Sequence, residues 1–278
     1  MSSSRFKTLV IIALALINLT FLTVIIADRV ADSSIERAAL ENICMVLQRS
    51  GVAISPDNVR TAGQITTMRT SRSDDAEAAI AAAILGKTVL TDQGVIYQYS
   101  SEIRGIAEFY SAGDFEIRVN EGVLAAAGGA IRTVQGLLRD MKIEAAGISE
   151  PGQDGKETVT AVSSYRGASI YNCTIDFVFI DGYLRTVKGR YATGLEIVEE
   201  GAALSSPGTA LLGFLAAVNS NDRDDVSCSY IYSVESGYLY SVVGSFGEGV
   251  ITPVWLLTTD TGRFFIDNAT GNIRTAIA

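Results

Sequence analysis

Thr8 to Ala27 reads TLVIIALALINLTFLTVIIA, twenty consecutive residues without a charge. At about 1.5 Å per residue a helix of this length spans roughly 30 Å, the thickness of a bilayer's hydrocarbon core. Arg5 and Lys7 precede the run and Asp28 follows it directly. Flanking basic residues stay on the cytoplasmic side. The pattern therefore predicts a cytoplasmic N-terminus over 1–7, a single transmembrane anchor over 8–27 in the cell membrane, and an extracytoplasmic remainder. The run exceeds the roughly 7–15 residues of a signal-peptide core, and no A-x-A cleavage site follows it. A retained anchor is expected rather than a cleaved signal. No cysteine closes the run, which excludes a lipoprotein.

Asn18 sits at the middle of that segment. An amide at the bilayer centre is costly against lipid and finds its hydrogen bond on another helix. Its neighbours three and four residues away are Leu14, Ala15, Phe21 and Leu22, so the face Leu14–Ala15–Asn18–Phe21–Leu22 is the expected partner-binding seam.

The rest of the chain is acidic. Removing Arg5 and Lys7 from the 22 basic residues leaves 20 against 31 acids, a net −11 beyond the anchor, compared with −9 for the whole chain. Nucleic acid, whose phosphates need clustered Lys and Arg, is not an expected partner. The sequence contains no histidine. Ser-His and Cys-His catalysis, imidazole proton shuttles and most zinc sites fall away with it. Cys44, Cys173 and Cys228 lack metal-ligand spacing and read as small buried hydrophobes, although Cys173 and Cys228 both lie on predicted strands where an extracytoplasmic disulfide is permitted. The acidic run Asn219–Asp225 lacks the central Gly and the distal Glu of a calcium loop. No catalytic residue, cofactor or metal site is expected.

Outside the membrane, Ser33-Ser34-Ile35-Glu36 resembles a capping box, with a stalk helix over about 33–49. Ile35, Ala39, Ile43, Val46 and Leu47 recur at helical spacing, and Gly51 supplies a stop. A polar stretch from Ser55 to Ser73 precedes an alanine-rich helix over Asp74–Leu85. Val95–Tyr99, Ile106–Tyr110 and Phe115–Val119 alternate as strands, with Gly94, Gly105 and Gly113 between them. Ala130–Met141 reads as helix. Pro151-Gly152-Gln153-Asp154-Gly155 is the expected boundary between halves. Beyond it, Cys173–Ile180 alternates as a strand and turns at Asp181-Gly182 into Tyr183–Tyr191. Ser206-Pro207 opens a helix with Leu211, Leu212, Leu215 and Val218 on its apolar face. Strands follow at Ser229–Val234, Tyr238–Val243, Val250–Thr258 and Arg263–Asp267. The expected fold class is α+β, an anchor followed by two similar modules of antiparallel sheet plus helix over 28–150 and 151–278.

The most distinctive stretch is the tail, Pro253-Val254-Trp255 through Asp260-Thr261-Gly262 to Phe264-Phe265-Ile266-Asp267 and Thr270-Gly271. It reads as a hairpin anchored by the single Trp, closing the fold. Together with Ile17-Asn18-Leu19-Thr20-Phe21-Leu22 and the stalk helix running into Gly51-Val52-Ala53-Ile54, this ending resembles the YycI/YycH group of membrane-anchored regulators, with a PepSY-like C-terminal unit. Length and the single terminal unit favour YycI. The resemblance implies a non-enzymatic accessory of a WalK/YycG-like sensor histidine kinase. It also implies contact with the kinase through the spanning helix, and association with a YycH-like accessory protein outside. The function implied is control of cell-wall homeostasis in a two-component system of Gram-positive bacteria. Two other readings are an anchored ligand- or cell-wall-binding module, with Tyr97, Tyr99, Tyr110, Tyr165 and Tyr171 lining a cleft, and a PepSY-like peptidase inhibitor or chaperone.

Overall fold

The computed structural model describes residues 35–62, 65–148, 156–198, 204–220, 226–244, 248–267 and 270–276. The anchor over 8–27 and the proposed seam Leu14, Ala15, Asn18, Phe21 and Leu22 lie outside the described residues, as do Ser33 and Ser34. Among the described residues no helix is long and apolar enough to cross a membrane.

Helix α1 covers residues 35–49. Its inward stripe is Leu40, Ile43, Cys44 and Leu47, whereas Ile35, Ala39 and Val46 are exposed. The expected stripe and the observed one both satisfy a 3.6-residue period, and only the tertiary partner selects between them. The helix ends in a Schellman motif. Val52 N–H donates to Leu47 C=O at 3.0 Å and Gly51 N–H to Gln48 C=O at 3.1 Å. Gly51 holds φ at +89°, open to glycine at little cost. Leu47 and Val52, the apolar pair that accompanies this motif, are both fully buried in one cluster.

A single 3-10 turn, Pro56–Asn58, is capped by Ser55 and leads to β1 (Val59–Arg60) and β2 (Met68–Thr70). Helix α2 (Asp74–Leu85) starts at Ser73, whose hydroxyl accepts from Ala76 N–H, with Asp74, Asp75 and Glu77 at the positive end of its dipole. Strands β3 (Val89–Asp92), β4 (Ile96–Ser101), β5 (Gly105–Tyr110) and β6 (Asp114–Val119) follow as an antiparallel meander. Helix α3 (Ala130–Asp140) precedes β7 (Ala145–Ile148), β8 (Lys156–Tyr165), β9 (Ala168–Ile180) and β10 (Tyr183–Arg190), a second meander. After the two-residue β11 (Glu196–Ile197), helix α4 (Pro207–Val218) precedes β12 (Ile231–Val242), β13 (Gly249–Thr259), β14 (Arg263–Asp267) and β15 (Ile273–Thr275), a third.

One helix followed by four antiparallel strands thus occurs three times among the described residues, where the sequence suggests the pattern twice. The extra unit comes from β7 (Ala145–Ile148) and β8 (Lys156–Tyr165), strands that the sequence pattern did not mark, β7 because Ala-Ala-Gly-Ile carries no alternation. The expected boundary at 150/151 falls between β7 and β8, which pair with each other. Pro, Gly and Asp punctuate hairpins and domain boundaries alike, so composition alone did not separate the two. The first two units join through β6 and β10 into one sheet, ordered β3-β4-β5-β6-β10-β9-β8-β7. Helices α2 and α3 cover one face of it, burying Ile80, Ile84, Val134 and Leu138 against Phe109, Phe115, Phe177 and Phe179.

The third unit attaches where Ser169 and Ile170 of β9 run parallel to Gly237 and Tyr238 of β12. β1 and β2 add to β12 and β13. Helices α1 and α4 cover this part, with Leu47, Leu211 and Phe214 packed against Trp255, Leu257 and Phe264. Leu212, expected on the apolar face of α4, is exposed, and Phe214 occupies the core position instead. A smaller cluster of Met68, Ile170, Cys173, Tyr238, Tyr240 and Ile251 fills the junction.

Candidate functional site

A groove of about 760 Å³ lies beside α1. Leu40 and Ile43 form one wall, Pro56, Asp57 and Val59 the second, and Ser205 to Gly208 at the start of α4 the third. Trp255 lies at the floor, 1% exposed, and its indole N–H donates to Ser205 C=O at 3.2 Å. That bond fixes the approach to α4, whose cap is Ser206: its hydroxyl accepts from Thr209 N–H, and Pro207 takes the first helical position. Gly208 leaves space for the Ile43 side-chain tip. At the rim Arg37 bridges Asp57 at 3.1 Å and Glu41 at 3.4 Å, both exposed pairs of small energetic weight. The groove can receive a side chain or a short peptide segment, since it combines an apolar floor with polar edges.

A second constellation marks the junction of the two regions. Arg72 lies between β2 and α2, and its guanidinium forms a fork with Glu77 at 2.8 and 3.0 Å. It also donates to Phe109 C=O at 3.2 Å and lies 3.6 Å over the Tyr97 ring. Glu77 is buried at 8% side-chain exposure and Arg72 is largely buried at 14%. Burial pushes the Glu77 carboxyl above its ordinary value, and the bonds and charge of Arg72 offset only part of that rise. Nearby, Arg190 makes a second fork with Asp114 at 2.9 and 2.8 Å, and Tyr240 O–H donates to Ala112 C=O at 3.2 Å. A cavity of about 20 Å³ between these groups has room for one water. These are positioning interactions that hold β2, α2, β6 and β12 in register.

The cysteines are free thiols. Burial raises Cys173 to about 12, and burial followed by the Asp260 charge raises Cys228 to about 11, so neither is a thiolate near neutral pH. The five tyrosines do not line one cleft. Tyr99 packs edge-on against Phe109 at 5.6 Å beneath α2, Tyr110 is exposed, and Tyr171 packs tilted against Phe265 of the third unit at 5.5 Å. The acidic run Asn219–Asp225 lies largely outside the described residues. Sequence reasoning identified Trp255 as an anchor but missed the groove, whose walls come from three separated segments. It also missed Arg72–Glu77, although an Arg five residues before a Glu that faces inward on α2 was the available signal.

No family model matches the sequence, and no curated protein matches it. Solved structures do. One is an uncharacterized protein from Eubacterium rectale ATCC 33656, with TM-score 0.47, 11% identity, and coverage of 81% of this chain and 93% of that one. The C-terminal domain of YpeB from Bacillus megaterium gives 0.36 at 14% identity, covering 75% and 100%. YycH from Bacillus subtilis gives 0.35 at 8% identity, covering 72% of this chain and 49% of YycH. The chain therefore spans about half the length of YycH, one of the two relatives that the sequence motifs resemble. All three scores are below 0.5.

Proposed function

We propose that the chain is a membrane-anchored extracytoplasmic regulator of a WalK-type sensor histidine kinase, in a two-component system controlling cell-wall homeostasis. It acts through protein contacts rather than catalysis. Residues 8–27 span the membrane, and the Asn18 face meets the kinase there. The outer part meets a YycH-like accessory protein. The observation that carries the reading is the docking of α1. This helix begins within eight residues of the apolar segment and is fastened to the folded part by Leu40, Ile43, Cys44, Leu47 and the Gly51 cap. Docking α1 this close in sequence to the apolar segment keeps the outer fold on a short tether to the anchor. A helix that packs differently against two kinase states then shifts their populations by its differential affinity.

The test is co-purification of the kinase from membranes, combined with a reporter of kinase output. Asn18→Leu is expected to reduce co-purification several-fold and to change the reporter signal. Unchanged association together with unchanged output would remove the assigned role of that face. The groove beside α1 favours a second reading, an anchored ligand-binding module. A saturable change in the emission of Trp255, the only Trp of the chain, on adding cell-wall peptide fragments would support it.

A further inference from the structure

β3 forms one edge of the sheet, and among the described residues no strand pairs with its outer side. All four of its residues are exposed, Val89 at 68% and Leu90 at 48%. It pairs with β4 along its whole length without a register shift. The opposite edge, β7, is broken by a shift between Ala145 and Gly147. Natural sheets blunt their edges with bulges, prolines or inward charges. β3 carries no bulge and no proline, and its only protections are its four-residue length and the charge of Asp92 at its end.

The phase of the strand is fixed by its turn. Gln93 N–H donates to Ile96 C=O at 3.0 Å. Bonded positions alternate in an antiparallel pair, so Gln93, Thr91 and Val89 direct their backbone groups toward β4. Thr88, Leu90 and Asp92 therefore direct theirs outward, where an added strand would bond to them.

We propose that β3 is a self-association edge, pairing antiparallel with β3 of a second copy about a twofold axis at Leu90. In that register Leu90 stands opposite Leu90, Val89 opposite Thr91, and Thr88 opposite Asp92. Lys87 stands opposite Gln93, one residue from Asp92. The basic Lys87 just before each strand thus lies toward the acidic Asp92 end of the other, whereas a parallel in-register arrangement sets Asp92 beside Asp92. This charge pattern selects a second copy in the antiparallel sense, and the contact is isologous. One short strand per partner buries well under the roughly 800 Å² per partner typical of a stable complex. The association is therefore weak and concentration-dependent, and it does not depend on the kinase reading.

The experiment uses the full chain in detergent micelles, with mass followed by light scattering across concentration. Wild type is expected to pass from one copy to two, and Leu90→Lys, which sets two ammonium groups on the axis, to raise the dissociation constant at least tenfold. Asn18→Leu is expected to leave this transition in place, which separates the edge from membrane contacts. Under mild oxidation Leu90→Cys should crosslink, because opposed bonded positions lie about 5.5 Å apart between Cα atoms, within disulfide range. Ile103→Cys, exposed at 79% outside the strand, should not. A single copy at all concentrations, a transition unaffected by Leu90→Lys in a protein of unchanged melting, or equal crosslinking of the two cysteines would overturn the proposal. If Leu90→Lys does not fold, the two cysteine variants decide.

Discussion

The sheet built from β3 to β10 and the region built from β12 to β15 start from the same local order of one helix and four strands, yet they close differently. In the first, α2 and α3 lie on one face and bury a continuous apolar layer, and a forked ion pair is sealed at its margin. In the second, α1 and α4 share the cover, and a groove stays open between them above Trp255. Two helices from adjacent units tile the first sheet. In the second, α1 comes from an earlier stretch of the chain and packs beside α4, held there by Leu47 and the Gly51 turn. Openness here is a consequence of where the covering helix comes from, not of the strand sequence.

The largest expected effects separate the two regions. Trp255→Ala removes the largest buried side chain and its bond to Ser205, and should cost about 3–5 kcal/mol. Hydrogen exchange should then rise in α4 and β12–β14 before it rises in β4–β6. Arg72→Met should cost about 3–5 kcal/mol by leaving the Glu77 carboxylate buried without its partner, with the reverse exchange pattern. The pH dependence has a definite sign. Glu77 is raised from its ordinary 4.5 in the folded protein, so its titration favours the fold below that value and this contribution fades as pH rises through the folded pKa. In Arg72→Met the rise is larger, and urea denaturation at pH 5 should recover part of the stability lost at pH 7. Equal losses at both pH values would show that Glu77 finds another cation.

Local chemistry made much of the fold legible. The bounds of α2 follow from Ser73 and the acids behind it, and the Asp181-Gly182 hairpin is realised with both residues at positive φ, 52° and 77°. Ser206-Pro207 likewise sets the start of α4. What the sequence misreports is contact between distant segments. The sequence suggests two strands either side of Gly237, because glycine usually marks a break, but β12 runs unbroken from Ile231 to Val242. A Cβ at Gly237 would lie 2.5 Å from Tyr171 Cε2 and 2.7 Å from Ser169 C=O, so the glycine serves the approach of β9. The groove was hidden for the same reason: nothing in Leu40, Val59 or Ser205 alone says that they meet.

Gly237→Ala follows in magnitude. It would force β9 and β12 apart at the only two residue pairs where they run parallel, and about 1–3 kcal/mol is expected from such overpacking. Because that contact joins the two regions, the variant should split a single melting transition into two. One cooperative transition at lower temperature would mean that the Arg72 and Arg190 forks suffice to couple them.

The smallest effect concerns Asp260, in the turn between β13 and β14. Its carboxylate accepts from Ser229 N–H at 3.1 and 3.2 Å and from Tyr230 N–H at 3.2 Å, pinning the chain as it enters β12. Desolvation works to raise this group, but the N–H groups of Tyr230 and Ser229 outweigh it and hold the carboxyl below its ordinary 3.8. Its contribution to stability is therefore present above that value and lost as pH falls through the lower folded pKa. Asp260→Ala should be slightly less stable than wild type at pH 6, and the gap should narrow in strong acid. Glu77 has the opposite sign, so acidification to pH 4 should loosen neither region through Asp260 while it favours the fold through Glu77. A gap that widens on acidification would mean that a group other than Asp260 pins the start of β12.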